Sequence, residues 1–196
     1  MLQHLRPALV IIAFFTALLG LAYPLTVTGI AQAAFPRQAD GSLLRDGAGR
    51  VVGSELIGQA FADPAYLHAR PSAAGQGYDA SASSGSNLGP LNENLITRVR
   101  ADADRVRAET SGAVIPADAV TASASGLDPH VSPAFARLQA SRIAAARGLP
   151  VAQVLTIIDA RTEGRLLGFV GQPRVNVLRV NLDLDARAAA NVPRSP

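Results

Sequence analysis

Ala8-Leu-Val-Ile-Ile-Ala-Phe-Phe-Thr-Ala-Leu-Leu-Gly-Leu-Ala22 is almost purely apolar. It lies inside a neutral run of 30 residues, Pro7 to Pro36, bounded by Arg6 and Arg37. A bilayer core needs about 20 residues of helix. Eleven Leu, Ile, Val or Phe residues stand between Ala8 and Thr28. At roughly −0.3 to −0.6 kcal/mol each on insertion, they outweigh the Thr, Gly and Pro among them. Residues 1–36 therefore read as a membrane anchor with its span at about 8–30. A cleaved signal peptide competes, because Arg6 precedes the apolar run and Ala31-Gln32-Ala33 resembles a cleavage site. The run exceeds the usual length of a signal core, and Leu25 to Ile30 continues it past Pro24, which favours retention. His4, Arg6 and the terminal amine precede the span, while Arg37 and Asp40 nearly cancel after it. That asymmetry predicts a cytoplasmic N-terminus and an extracytoplasmic domain.

Within the span, Thr16, Gly20, Pro24, Thr28 and Gln32 recur every four residues. At about 100° per residue the row drifts about 40° per step, so neighbours share one side of the helix. Small and hydroxylated residues on one side let a helix pack closely on others in lipid. Thr16, Gly20, Pro24 and Thr28 are accordingly the expected partner contacts in the membrane; a lone anchor with incidental small residues is the plainer alternative. Pro24 also frees a backbone carbonyl that needs another partner.

The 196 residues are 48 % hydrophobic and 17 % charged, too apolar for a disordered chain. Every basic residue is Arg; 18 of them against 15 acids give a net charge of +3, too mild and too evenly spread to point to nucleic acid. There is no Cys, which excludes disulfides, thiolate metal sites and a cysteine nucleophile. Residues 37–196 hold only five aromatics, so their core must be Leu, Val, Ile and Ala. Ser42–Val52 reads as a β-hairpin around Asp46-Gly-Ala-Gly49. A short helix is expected from near Ser54 to Asp63-Pro64, and a long loop from Arg70 to Pro90. Leu91, Leu95, Val99, Ala103 and Val106 mark an amphipathic helix stopped by Gly112. Ser132-Pro133 starts a helix that runs through Phe135, Leu138 and Ile143 to Gly148, and Pro150 starts another. Leu178, Val180, Leu182 and Leu184 alternate with polar residues and predict a strand, with a bulge near Val177-Leu178. The expected class is α+β: one transmembrane helix followed by a mixed α+β domain over residues 37–196.

A hydrolase could be drawn from Asp128, His130 and a serine, but no Gly-x-Ser-x-Gly elbow exists. Asp128-Pro-His130 reads better as a turn ahead of the Ser132 cap. His68 and His130 lack a third ligand at metal spacing, so no metal and no catalytic residue is expected. Without Lys there is no phosphate loop. Ser84-Gly-Ser-Asn-Leu-Gly-Pro90 is the most specific stretch, and Ser84, Gly85, Ser86, Asn87 and Gly89 are the expected extracytoplasmic partner contacts. A tight loop that needs Gly for positive φ is an equal alternative, and its carbonyls facing a hard cation a weaker one.

In order, these segments resemble the KdpC family, the C subunits of Kdp-type ATP-driven potassium pumps. The resemblance rests on Leu5-Arg-Pro-Ala8, Tyr23-Pro-Leu25, Val51-Val-Gly-Ser-Glu-Leu-Ile-Gly58 and Tyr66-Leu-His-Ala-Arg-Pro-Ser72. It continues through Ser84–Pro90, Val120–Pro133, Arg142–Pro150 and Pro173-Arg-Val-Asn-Val-Leu-Arg-Val-Asn-Leu182. It implies a non-catalytic subunit of a bacterial inner-membrane complex. The implied partners are a channel-like potassium-translocating subunit, a P-type ATPase catalytic subunit and a small single-span subunit. It also implies a role in assembling the complex and raising the catalytic subunit's affinity for ATP, with ATP binding proposed for some members. With the domain outside, cytoplasmic ATP could not reach it, and any such effect would pass through the membrane helices. Two other classes stay open: a secreted or anchored binding protein with no transport partner, and a small hydrolase dependent on His130.

Overall fold

The computed structural model describes residues 2–110 and 112–191, with the side chains of Leu2 and of 188–191 left aside; Met1 and its amine lie outside the described residues. The chain divides into two compact units, Met1–Leu43 and Leu44–Pro196. In the first, α1 (Leu5–Ala17) passes through a π turn (Leu18–Ala22) into α2 (Tyr23–Ala34), followed by the short α3 (Pro36–Ala39). The π turn sits directly ahead of Pro24: Tyr23 N–H reaches back five residues to the Leu18 carbonyl. A widened turn is how a helix accommodates a ring that would clash with the carbonyl four residues earlier. Helical geometry over Leu5–Ala34 is thus long and apolar enough to cross a membrane, and none of its apolar window is buried.

In the second unit the expected hairpin is present as β1 (Leu43–Arg45, straddling the unit boundary) and β2 (Val51–Ser54). Asp46 makes its turn, accepting from Ala48 N and Arg50 N at 2.9 Å each. The short helix expected after Ser54 is absent. Residues 55–57 make a turn and the chain then runs extended, because Gly58 N donates to the Leu127 carbonyl at 2.8 Å and packs against the Asp128 backbone. That contact draws the segment alongside residues 127–128 instead of letting it coil on itself.

The long loop is followed by α4 (Glu93–Thr110), a 3-10 turn (Ala117–Ala119), β3 (His130–Val131), α5 (Pro133–Leu138) and α6 (Ala140–Arg147). Leu91, placed on the first of these by spacing, lies outside it and is 89 % exposed; Asn92 Oδ1 accepts from Asn94 N and starts the helix after it. Ser132 caps α5 as expected, its Oγ accepting from Phe135 N at 3.0 Å. One residue interrupts the expected continuous helix: Gln139, whose N–H turns to the Ala136 carbonyl three residues back, separates α5 from α6. Gly148 ends α6 in the left-handed region (φ +63), with Leu149 N returning to the Ala144 carbonyl at 3.0 Å.

The rest is α7 (Val151–Ala160), β4 (Thr162–Glu163), β5 (Arg174–Asn176) and α8 (Val177–Asn191). β5 is the centre of an antiparallel sheet ordered β3-β5-β4, pairing Val131 and Thr162 with Val175. The core is aliphatic with one ring: Leu67, Phe135, Ile143, Val154, Ile158, Val175, Val180 and Leu184 are buried where α5 to α8 meet β5. The strand expected at 178–184 is the helix α8. Its buried residues, Val177, Leu178, Val180, Asn181 and Leu184, fall at i, i+1, i+3, i+4 and i+7, which is one helical face. The change of phase at Val177-Leu178 marks the junction of β5 with α8, not a bulge.

Candidate partner-docking surfaces

On the membrane helix, Thr16, Gly20, Pro24 and Thr28 are all exposed. A Cβ built on Gly20 would lie 4.0 Å from Thr16 Cγ2, so the Thr16 methyl and the bare face of Gly20 adjoin on one side. A turn closed at five residues rotates less per residue than an α turn, so the π turn offsets part of the drift of this row. The result is a shallow, small-residue side interrupted by no bulky group between Thr16 and Gly20. Thr26 Oγ1 donates to the Ala22 carbonyl at 2.7 Å, which settles one hydroxyl without a partner helix.

The Ser84–Gly89 loop divides into two parts. Ser84 N donates to the Ser125 carbonyl at 3.0 Å, and Ser83 Oγ donates to the same oxygen at 3.0 Å. A Cβ on Gly85 would stand 2.9 Å from the Ala124 carbonyl, and one on Gly126 would stand 2.6 Å from the Ser84 carbonyl. Ser84 and Gly85 are therefore laid tightly on the 124–126 segment, and their glycine is needed for close backbone approach. Asn87, at φ +51, and Gly89 face outward, with Ser86 half-buried between them and Gly85.

The Asp128 cluster is structural in its geometry. Arg70 Nη1 donates to Asp128 Oδ2 at 2.9 Å, and its other nitrogens reach Thr121 and the Ala122 carbonyl. Burial would raise the Asp128 carboxyl, but hydrogen bonds from His130 and the Arg70 guanidinium outweigh it and hold the group below the usual carboxylate range. Tyr78, whose hydroxyl donates to the Arg70 carbonyl, is pushed up to about 12, first by burial and then by the Asp128 charge. Ser132 Oγ is already committed, donating to Asp118 Oδ1 at 2.9 Å while accepting from Phe135 N. Among the described residues no serine hydroxyl bonds to the His130 ring, and no group of three His, Asp or Glu side chains gathers as a metal would need.

A triphosphate with no bridging cation is repelled by carboxylates set among the donors. Four clefts of about 460–570 Å³ each set carboxylate beside arginine: Asp183, Asp118 with Asp128, Glu109, and Glu163. A bare polyanion would meet a like charge in each of them.

Sequence reasoning passed over the side-chain amides that stitch the domain together. Asn181 is 2 % exposed and clamps Leu67, with Oδ1 accepting from its N–H (2.8 Å) and Nδ2 donating to its carbonyl (3.0 Å). Gln139 grips the next residue, His68, in the same two-bond way at 2.8 and 3.0 Å. Arg142 and Arg147 bind the carbonyls of Pro64, Tyr66 and Ala65. The blocks around Tyr66–Ser72 and Arg142–Pro150 are thus two halves of one contact.

Residues 5–186, spanning the apolar helix and nearly all of the domain, match the family model described as "KdpC: K+-transporting ATPase, c chain". The chain belongs to the KdpC family. It is 69 % identical over 191 residues to the potassium-transporting ATPase KdpC subunit of Caulobacter sp. (strain K31), covering 97 % of each chain. The KdpC subunit of Beijerinckia indica is 63 % identical over the full length of both, and that of Myxococcus xanthus 58 % identical over 87 % of this chain and 82 % of its own. The family match begins at residue 5, so the apolar helix is part of what the family shares, and it fits a membrane-anchored subunit.

Proposed function

We propose that this chain is the non-catalytic, membrane-anchored C subunit of an ATP-driven potassium uptake complex in a bacterial inner membrane. Its partners are a potassium-translocating channel-like subunit, a P-type ATPase subunit and a small single-span subunit. The observation that carries the proposal is the match over residues 5–186, which takes in helix and domain together. The helix docks on its partners through the Thr16–Gly20–Pro24–Thr28 side, supported by the adjoining Thr16 methyl and Gly20 and by the π turn ahead of Pro24. The N-terminus is cytoplasmic and the domain extracytoplasmic, where it covers the outer mouth of the translocating subunit, with the outward part of the Ser86–Gly89 loop among its contacts. Any rise in ATP affinity is then a coupling transmitted by docking, not by nucleotide on this chain; the carboxylates in its clefts support that preference.

The test replaces both small residues, Thr16→Leu and Gly20→Leu, in the complex purified in detergent. Two added leucines block close helix approach, so this subunit is expected to wash off while the others stay together. Undiminished co-purification overturns the docking side. An intact mass lacking residues 1–33 would instead favour a secreted binding protein.

A further inference from the structure

Beyond β4 the chain makes a protruding turn whose apex is Leu166-Leu-Gly-Phe-Val170, joined by a bridge between Leu166 and Val170. Its four large apolar side chains are 47–79 % exposed. Two features set it apart from ordinary scattered surface leucines. Leu167 lies at φ +54 and Gly168 at φ +81, a pair of positive values that hairpins ordinarily meet with Asn-Gly. A leucine there is strained, since its Cβ crowds the carbonyl in the left-handed region. The fold therefore bears backbone strain and bare apolar surface at one point, with no burial within the chain to compensate. Four of the five backbone N–H groups at the tip are bonded within the turn: those of Leu166, Gly168, Phe169 and Val170 donate to the Val170, Arg165, Leu166 and Leu166 carbonyls. Such a tip loses few water hydrogen bonds when it is covered.

We infer that Leu166–Val170 is a preformed knob that inserts into an apolar recess, with an acidic group on its rim, on another subunit of the transport assembly. The inference rests on the proposed role as a subunit of that assembly. A fluid bilayer requires only apolarity and has no use for a strained, fixed shape, whereas a recess rewards one set in advance. Charge selects the partner's chemistry. Arg174 is met by Glu163 at 2.8 Å, while Arg165 hydrogen-bonds only Gln172 at 3.3 Å among the described residues and keeps its charge uncompensated beside the knob.

The experiment uses the complex carrying the full chain. A photoreactive benzoylphenylalanine replaces Phe169, and the retention of two variants, Leu167→Asn and Arg165→Glu, is measured after detergent washing. Asn suits the left-handed position, so Leu167→Asn is expected to leave the melting temperature of the full chain in detergent unchanged or higher. The same change should weaken retention about tenfold, as for a buried anchor at an interface. Arg165→Glu is expected to weaken it too, with the deficit shrinking at high salt. The cross-link is expected on a larger subunit. Cross-links to lipid alone, or full retention of Leu167→Asn, overturn the inference, as does a melting temperature that falls with Leu167→Asn. A chain that co-purifies yet shows no cross-link sinks only the knob; a wild-type chain that co-purifies with no transport subunit sinks the proposed function instead.

Discussion

Asn181 and Gln139 do in this domain what a neighbouring strand does in a sheet. Leu67 and His68 run extended through the core region, and each has its N–H and C=O answered by one side-chain amide. Replacing Asn181 with Leu keeps the bulk but orphans a buried donor and acceptor together. The expected cost is about 2–4 kcal/mol, lowering the melting temperature of the full chain in detergent by about 5–10 °C. A shift under a degree would mean that water or a neighbour replaces the clamp. His68 offers a second test, by pH. Burial, with the Arg142 charge adding to it, holds its imidazole below the ordinary 6.5, and the ring Nε2 donates to the Asp63 carbonyl at 3.0 Å. Well above pH 6.5 the ring is neutral folded or unfolded and contributes nothing that varies. As the pH falls below 6.5 the unfolded chain takes up a proton that the folded one does not, so stability declines until the folded ring also titrates. Asp128, held low, adds a similar loss only in the acid range below about 3.9. Melting curves between pH 7.5 and 5.5 should slope downward for the wild type and flatten for His68→Gln; parallel curves would exclude the histidine.

At the scale of elements, α8 depends on Asn176. Its Oδ1 accepts from Arg179 N at 3.1 Å, starting the helix, while Nδ2 donates to the Glu55 carbonyl at 2.8 Å, tying the helix start to the turn after β2. The two bonds separate experimentally. Asn176→Ser retains a cap acceptor and loses the tie; Asn176→Ala loses both and is expected to be less stable by a further ~1 kcal/mol, the usual worth of a cap, read from chemical unfolding. Equal destabilisation would mean that the cap is immaterial. The same residue explains which elements could be read in advance. The hairpin at 42–52, the Ser132 cap and the Gly148 stop carry local signals that only one geometry satisfies, and the structure has all three. Residues 177–184 do not. Apolar residues at 177, 178, 180, 182 and 184 suit a strand or a helix, and the choice turns on whether Asn181 points in. Assigned outward by polarity, it gives a strand; buried against the Leu67 backbone, 114 residues away in sequence, it gives a helix. Asn176 in cap position was the local clue. In the candidate docking surfaces, the small-residue row was legible from spacing. The division of the Ser84–Gly89 loop was not, because Gly85 owes its place to the distant Ala124 carbonyl.

The whole molecule joins a helix with no charge from Pro7 to Pro36 to a domain whose basic residues are all arginine. Much of that arginine is internal fastening: Arg142 and Arg147 hold backbone carbonyls, and Arg161 grips Asp183 through two bonds at 2.6 and 2.9 Å. A planar fork with five donors does this better than an ammonium. The domain's near balance of charge thus gives little hold on topology, and the sidedness of the span rests on His4 and Arg6 ahead of it against Arg37 after it. The absence of native cysteine makes that sidedness directly measurable. A single thiol at the exposed Arg187, by Arg187→Cys, should react with a membrane-impermeant maleimide added outside spheroplasts and be protected in sealed inverted vesicles. Labelling in inverted vesicles alone would reverse the topology and place the domain on the side where ATP is. In that event the carboxylates in its clefts become the remaining obstacle to nucleotide, and Glu109 the residue to neutralise first, because it shares its cleft with Arg70 and Arg105, whereas the cleft of Asp128 holds Asp118 as well.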